Sequence, residues 1–274
     1  MTLSGRNRIF KTGIIVSLLI LVLVAFAALT VLPAYPDLAA QAARRSSVLP
    51  NLWSAAPAAY VPYATMAASV VYAFVTLVLI FYFFEKTQTP EILFIALFVL
   101  SFAFESARLA VPLSLVRDLP PVFRIMACRV LLFGRYFGIF SLFVASVCAA
   151  GLEMQRQGNI LMILTLASLV IALGRPIDGL SWDSSLCMLG GYSVMFNLVE
   201  LAVMLITMVS FCVSVRSRGA KEYQFIALGS LLVFIGRGLL LKADTWIAPL
   251  PGLAILALGT WFICGRLHRV YLWL

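Results

Sequence analysis

Residues 92–104 read ILFIALFVLSFAF, an apolar stretch that runs directly into Glu105 and Arg108. With its flanks it extends over about 91–112, which gives the roughly 20 residues that a helix needs to cross the hydrocarbon core of a bilayer. The fold class therefore depends on how often such stretches recur along the chain. The clue to function is the presence of an acid and a guanidinium three positions apart within such an apolar stretch.

The composition matches that of a protein embedded in lipid. Of the 274 residues, 63% are hydrophobic and only 11% are charged, whereas a soluble domain averages about 25% charged residues. Too few polar side chains remain to cover a globule that faces water. The sequence therefore predicts an integral membrane protein.

Apolar stretches of spanning length recur about eight times, which predicts an all-α fold, a polytopic transmembrane helical bundle. We expect one N-terminal anchor, three helical hairpins and one closing helix. The predicted spans are 12–32, 63–84, 91–112, 126–150, 159–175, 191–214, 223–241 and 249–266. They divide the chain into a cytoplasmic N-terminus with the first anchor (1–32), an extracytoplasmic loop (33–62), a seven-helix bundle (63–266) and a short cytoplasmic tail (267–274).

The positive charges predict the orientation. The formal net charge is +9, and the arginines and lysines mostly flank the apolar spans, so we expect the lipid bilayer and its anionic headgroups as partners and no nucleic acid. Placing both termini in the cytoplasm leaves about twice as many basic residues inside as outside. This favours a bacterial cytoplasmic (inner) membrane protein. The first span is alternatively a cleaved signal peptide, which would leave seven spans.

The three predicted hairpins resemble one another. Each returning helix reaches an arginine behind a small residue near the predicted outer boundary, at Arg108, Arg175 and Arg237. An arginine at that depth can extend its guanidinium to the lipid headgroups. Alternatively, the three arginines face the interior of the bundle.

Two other charges lie near the middle of their predicted spans, Arg135 in the fourth and Glu200 in the sixth. A charge at that depth costs about 2.5–3.5 kcal/mol on insertion scales, so both should turn inward and find a partner. Their corresponding places in successive hairpins predict that they pair with each other. Such a pair either fixes helix packing or forms part of a ligand site.

Together the intramembrane and outer-loop polar residues predict a cup that opens outward and is slightly positive. Arginine's planar fork suits carboxylate or phosphate, so we expect a small anionic or amphiphilic ligand, or a lipid headgroup. The candidate ligand-binding residues are Arg135, Glu200, Glu105, Arg108, Arg175, Arg237, Asn197, Arg129, Asp178 and Asp183.

The sequence gives little support for an enzyme, and we expect no catalytic residues, no metal and no cofactor. His268 is the one histidine and falls in the predicted tail, which disfavours Ser-His catalysis and histidine-ligated metal within the membrane. The five cysteines show no CxxC spacing, so neither a zinc site nor a disulfide framework is indicated.

The leading functional hypothesis is therefore a non-enzymatic receptor or sensor subunit that signals through a membrane or cytoplasmic partner protein. A small-solute transporter that uses the same polar core is the first alternative, since transporters are often built from repeats. A structural or assembly factor, whose buried charges only set helix packing, is the second.

Overall fold

The structure is a computed structural model that describes residues 3–31, 61–85, 89–151, 157–183, 185–218, 222–241 and 247–272. The predicted extracytoplasmic loop 33–62 lies outside the described residues except for its last two positions, which belong to a helix. Helices dominate the described chain. They are α1 (Leu3–Val31), α2 (Val61–Phe84), α3 (Pro90–Ser101), α4 (Ala110–Val116), α5 (Pro121–Ala149), α6 (Gln157–Gly174), α7 (Ser193–Arg218), α8 (Glu222–Leu241) and α9 (Pro249–Leu272).

A 3₁₀ helix, Phe102–Leu109, joins α3 to α4 without a break, so the stretch Pro90–Val116 counts as one long segment. On that count, eight helical segments of the described chain are long and apolar enough to cross a membrane. The prediction of an all-α chain with about eight such segments is confirmed at this level. The last helix runs on to Leu272, through most of the predicted tail.

The 3₁₀ helix was not predicted, and it is long for its type. It covers eight residues, whereas runs beyond three or four are uncommon because the hydrogen-bond geometry is poorer than in an α-helix. In 3₁₀ geometry the side chains at i and i+3 eclipse each other. Residues 105 and 108 are therefore stacked, which places the Glu105 carboxylate against the Arg108 guanidinium.

The segment that contains α3 and the 3₁₀ helix is the centre of the bundle. All but two of the twelve residues of α3 are buried, whereas α1, α6 and α7 expose most of their apolar side chains. Helix α5 packs closely on this centre because Gly134 and Gly138 face it. A Cβ atom on Gly138 would collide with the side chain of Ser101.

Helices α8 and α9 pack with their backbones close together, and glycines again permit the contact. A Cβ atom on Gly236 would lie 2.8 Å from the carbonyl oxygen of Gly252, which is backbone and has no room to yield. Small residues at such positions let two helix backbones approach without side chains between them. The pair holds Arg237, the neighbour of Gly236, inside the bundle.

Between α6 and α7 the chain forms a β-hairpin where the sequence predicted only an outer loop. Strand β1 (Ile177–Trp182) pairs antiparallel with β2 (Met188–Gly190), with Ile177 opposite Gly190 and Trp182 opposite Met188. The carboxylate of Asp183 fixes the turn, since its Oδ1 accepts hydrogen bonds from the backbone N–H groups of Ser185 and Cys187, both at 3.0 Å. The hairpin packs on α5 and covers one end of the polar core.

Candidate functional site

The polar core is built around the carboxylate of Glu105. Arg135 of α5 binds it in a bidentate manner, with Nε 2.8 Å from Oε1 and Nη2 3.1 Å from Oε2. Two parallel N–H···O bonds of this kind are stronger and more directional than a single charged contact. The Glu105 side chain is 4% exposed and that of Arg135 is 23% exposed. The acid is thus enclosed while part of the arginine still faces a cavity.

Arg108 is the second cation on the same acid. Its Nη2 lies 2.5 Å from Glu105 Oε2, and its side chain is buried. This is an ion pair without hydrogen-bond geometry, so Nε and Nη2 of Arg108 make no hydrogen bond within the described residues. One buried carboxylate therefore serves two guanidinium groups, and Nε of Arg108 is a donor without a partner among the described residues.

Glu200 of α7 pairs with Arg237 of α8, through Arg237 Nη1 and Glu200 Oε1. The expected pairing of Arg135 with Glu200 is therefore wrong: each of these residues has a different direct partner. The physical reason is the 3₁₀ helix, which turns Glu105 toward α5 and places a carboxylate nearer to Arg135 than Glu200 is. Arg108 and Arg237 are both buried and ion-paired, so neither extends to the surface as an interfacial anchor.

The three ion pairs form one electrostatic cluster. Glu105 interacts with Arg237, and Arg135 interacts with Glu200, in addition to their direct partners. Two carboxylates thus meet three guanidinium groups: Glu105 and Glu200 against Arg108, Arg135 and Arg237. With all five groups ionised, the cluster carries one net positive charge.

A cavity of about 250 Å³ lies beside this cluster, between the hairpin, α5 and the first turns of α7. Arg135 and Arg175 both line it, and Ser193 and Asn197 of α7 lie on its wall. Ser193 is the first residue of α7, so the positive end of that helix dipole lies at the cavity. We call this cavity the cup; its full lining is Cys128, Leu131, Leu132, Arg135, Arg175, Ile177, Asp183, Cys187, Met188, Leu189, Gly190, Ser193 and Asn197.

Arg175 is held at the cup by packing and by the hydroxyl of Tyr136, and not by a carboxylate. Its guanidinium carbon lies 5.2 Å from the centre of the Phe196 ring. A Cβ atom on Gly190 would lie 2.7 Å from its Nε, so only glycine leaves room for the arginine there. This Nε is buried and has no hydrogen-bond partner among the described residues. Arg175 thus brings a positive charge and an unused donor to the cup.

Three of the expected site residues are occupied elsewhere. Arg129 donates to the carbonyl oxygens of Leu173, at 2.6 Å, and Ala172, at 3.4 Å, and so caps the C-terminal end of α6. Asp183 lines the cup, but its Oδ1 is taken by the hairpin turn.

Asp178 is exposed on the hairpin and accepts hydrogen bonds from the Ser181 hydroxyl and from the Leu180 N–H, the latter at 3.0 Å. These two bonds favour the charged form and lower the pKa of the Asp178 carboxyl below its ordinary value. The carboxylate thus serves the hairpin and not the cup.

Sequence reasoning expected Asp183 at the cup but missed the two cysteines that also line it. Cys187 lines the cavity and accepts a hydrogen bond from Arg135 Nη2, with 3.5 Å between nitrogen and sulfur. Cys128 of α5 also lines the cup, and both thiols are free. The short alternation of apolar and small residues in 177–182 was the one available signal for a strand.

The described residues contain no group of three or more histidine, cysteine, aspartate or glutamate side chains arranged to hold a metal ion. The donors at the cup are cationic or neutral N–H groups, and these groups bind anions. What the arrangement can do chemically is therefore to hold a small anion by charge and by N–H donors.

Comparisons with known proteins give no relative from which a function can be transferred. No protein-family model matches the sequence, and the search of curated proteins finds no significant match.

Proposed function

We propose that this chain is an integral membrane receptor or sensor subunit that binds a small anion in the cup. Membrane embedding is supported by the eight apolar segments and by their outer faces, where Leu29, Val170 and Val194 are exposed. A surface of that kind is stable in lipid and unfavourable in water. The distribution of basic residues favours cytoplasmic termini in a bacterial inner membrane, which turns the cup outward.

The observation that carries the proposal is that Arg135 and Arg175 share a small cavity in which Arg175 forms no ion pair with a described carboxylate, since the Asp183 carboxylate on the same wall holds the hairpin turn. Arg135 is satisfied by Glu105 yet keeps an exposed edge, and Arg175 has a buried donor without a partner among the described residues. A buried or half-buried donor without an acceptor destabilises the folded protein, because it has given up its hydrogen bonds to water and gained none in return. A bound anion would supply that acceptor and neutralise the excess positive charge.

The size of the cup limits the ligand. A volume of about 250 Å³ is below the roughly 300–1,000 Å³ of pockets for drug-sized molecules. The ligand class is therefore a small carboxylate or a phosphate, which a guanidinium can bind through two parallel N–H bonds. An amphiphile fits only through its headgroup.

The 3₁₀ helix provides a route from the cup to the rest of the bundle. A ligand carboxylate that competes for Arg135 weakens its bond to Glu105, and Glu105 lies on the 3₁₀ helix. Mid-helix 3₁₀ stretches mark hinges because conversion to α-helix changes both length and rotation. Over eight residues the change in rise is about 4 Å, at 2.0 against 1.5 Å per residue. A partner protein in contact with this bundle would receive that movement.

Thermal unfolding of the purified protein in detergent tests the proposal. Phosphate, sulfate, acetate and succinate are compared with chloride at constant ionic strength, since a ligand that binds the folded state raises its melting temperature. We expect at least one of these anions to stabilise the wild type and to lose that effect in Arg175→Gln. Arg117→Gln is the matched control because Arg117 is an exposed arginine in the turn that precedes α5. Equal loss in both variants, or no anion effect in the wild type, contradicts an anion site in the cup.

The transporter alternative is supported by one observation, the interruption of the long central segment by the 3₁₀ helix. Transporter binding sites are often formed where a spanning helix departs from α-helical geometry. Uptake of radiolabelled phosphate and succinate into proteoliposomes separates the two functions. A receptor binds without transport, whereas a carrier shows uptake that Arg175→Gln reduces and Arg117→Gln leaves unchanged.

A further inference from the structure

The cup contains one charge of each sign that is not ion-paired. Arg175 and Asp183 are both half-buried, and both line this cavity of about 250 Å³. No ion pair within the described chain includes either residue, so they do not pair with each other or with a third side chain. Opposite charges that lie in one small cavity without meeting leave room for a ligand that meets both of them.

The other charge at the cup is already compensated. Arg135 donates two hydrogen bonds to the carboxylate of Glu105, which neutralises it. The hydroxyl of Tyr136 contacts Arg175, but a neutral hydroxyl leaves the charge of the guanidinium uncompensated. The charges that a ligand finds unpaired in the cup are therefore one guanidinium and one carboxylate.

Asp183 is held in place and still has an oxygen to offer. Its Oδ1 accepts hydrogen bonds from the backbone N–H groups of Ser185 and Cys187, both at 3.0 Å, and from the Ser185 hydroxyl at 2.7 Å. Its Oδ2 accepts none from the described residues. Since the turn already fixes the carboxylate, a cation that binds to it pays little for ordering the side chain.

The remainder of the wall suits a small organic molecule. Ser193 and Asn197 contribute a hydroxyl and an amide, and the rest is largely apolar. The apolar side chains of the wall are Leu131, Leu132, Ile177, Met188 and Leu189. We propose that the ligand of the cup is a small aliphatic α-amino acid, whose carboxylate binds Arg175 and whose ammonium group binds Asp183. This assignment rests on the anion site proposed above and narrows its ligand to a zwitterion.

Asp183 is then the residue that determines specificity. A simple carboxylate or a phosphate satisfies Arg175, but it brings a second negative charge into the cavity that holds Asp183. A simple amine satisfies Asp183 and leaves Arg175 without an acceptor. An unpaired or repelled charge in the site lowers the affinity for the wrong ligand, which is a common source of selectivity. Only a ligand with both charges avoids the two penalties.

Matched probes test the assignment on the full chain in detergent near neutral pH, with affinity measured by isothermal titration calorimetry. L-alanine is compared with propionate, and L-valine with isovalerate, since each carboxylate lacks only the ammonium group of its partner. Ethylammonium represents alanine without its carboxylate. We expect at least one amino acid to bind about tenfold or more tightly than its matched carboxylate, as for one hydrogen bond to a charged group. Ethylammonium should show no binding.

Three variants assign the two charges. Asp183→Asn keeps an oxygen for the hairpin turn, which asparagine also supports, and we expect it to remove the tenfold preference for the amino acid. Asp178→Asn is the matched control, because Asp178 lies on the same hairpin, is exposed and does not line the cup. It should keep the full preference. Arg175→Gln should abolish the binding of the amino acid and of its carboxylate.

Protection of Cys187 provides a second readout that needs no substitution at Asp183. Cys187 lines the cup, and its reaction with N-ethylmaleimide is followed by mass spectrometry of the otherwise unchanged chain. We expect the bound amino acid to protect Cys187 at about one tenth of the concentration at which its matched carboxylate does. Binding of the amino acid without protection of Cys187 would place the ligand outside the cup and overturn the assignment.

The outcomes separate this assignment from the proposed function. Equal affinity for each amino acid and its matched carboxylate overturns the zwitterion and leaves the anion site intact. Binding of phosphate or sulfate, with no binding of either amino acid, has the same meaning. If neither the amino acids nor any of the anions bind to the wild type, the anion site is wrong and the zwitterion falls with it.

Discussion

Replacing Glu105 with glutamine should be the most destabilising carboxylate-to-amide change in the described chain. The substitution keeps the shape of the side chain and removes the negative charge that Arg108 and Arg135 share. Removing one partner of a buried ion pair typically costs about 3–5 kcal/mol, because the other charge stays buried without compensation. Since two cations lose their acid here, we expect Glu105→Gln to reach that range.

Two other acids provide an internal scale for this effect. The side chain of Glu200 is 27% exposed and pairs with one arginine, and that of Glu222 is 36% exposed and pairs with Arg266. Both acids are less enclosed than Glu105 and each pairs with a single arginine, so we expect about 1–3 kcal/mol for Glu200→Gln and about 0–1 kcal/mol for Glu222→Gln. The measurement is the free energy of unfolding in mixed micelles with increasing denaturing detergent, at one pH and one salt concentration.

Because Glu105 is shared by two arginines, removing its charge and removing one arginine should destabilise the protein by different amounts. Arg135→Gln leaves Glu105 with Arg108 as its counter-ion, so it should destabilise less than Glu105→Gln. If Arg135→Gln is the worse of the two, or if Glu222→Gln costs as much as Glu105→Gln, then the buried cluster is not organised around Glu105. A simple pair would instead give equal effects for its two members.

Three smaller predictions follow from contacts outside the ion-pair cluster. Gly236→Ala should destabilise the protein by about 1–3 kcal/mol in the same unfolding assay, because its methyl group meets the backbone of α9, an overpacking that the helix pair has no space to absorb. Gly238→Ala, two residues further on, meets nothing within 4 Å and should be neutral or stabilising by up to about 1 kcal/mol. Arg129→Gln should raise hydrogen exchange in the last turn of α6, whose carbonyls it no longer caps; unchanged exchange there would contradict the cap.

The lowered pKa of Asp178 predicts that the stability of the hairpin depends on pH. A carboxyl whose folded-state pKa is depressed stabilises the fold fully above its unfolded pKa of about 3.9 and loses that contribution as pH falls through the lower folded value. The rate of proteolysis within the hairpin should therefore rise in acid for the wild type. The rate for Asp178→Asn should not show this acid-dependent increase.

The sequence was sufficient for the coarse fold because eight apolar stretches of spanning length leave few alternatives. It was also sufficient to single out Arg135 and Glu200, since a charge in the middle of an apolar helix needs an oppositely charged or polar partner inside the bundle. It failed for their partners because pairing depends on how each helix is rotated about its axis. Residues 102–109 adopt a 3₁₀ helix that no propensity in FAFESARL indicates, and that turn brings Glu105 to Arg135.

The hairpin was missed for a different reason. A strand of six residues and a strand of three, joined by a turn that Asp183 fixes, carry too little alternation to stand out from a loop. The sequence placed both Asp178 and Asp183 in the cup; in the structure only Asp183 lines it, and both carboxylates accept hydrogen bonds within the hairpin. Gly190 became interpretable only from the structure, as the position that makes room for Arg175.

The electrostatic sign of the cup can be measured before any ligand is known. Cys187 lines the cup next to Arg135, so its rate of modification by charged thiol reagents reports the local potential. The test uses a chain that keeps Cys187 and has alanine at the other four cysteines. A negatively charged and a positively charged methanethiosulfonate reagent, both membrane-impermeant, are added from outside to sealed cells. Each rate is normalised to the rate with free mercaptoethanol.

We predict that the anionic reagent modifies Cys187 about tenfold faster than the cationic one, and that Arg175→Gln removes most of this preference while Arg117→Gln preserves it. A preference for the cationic reagent, or no difference between the two, would contradict an anion-binding cup.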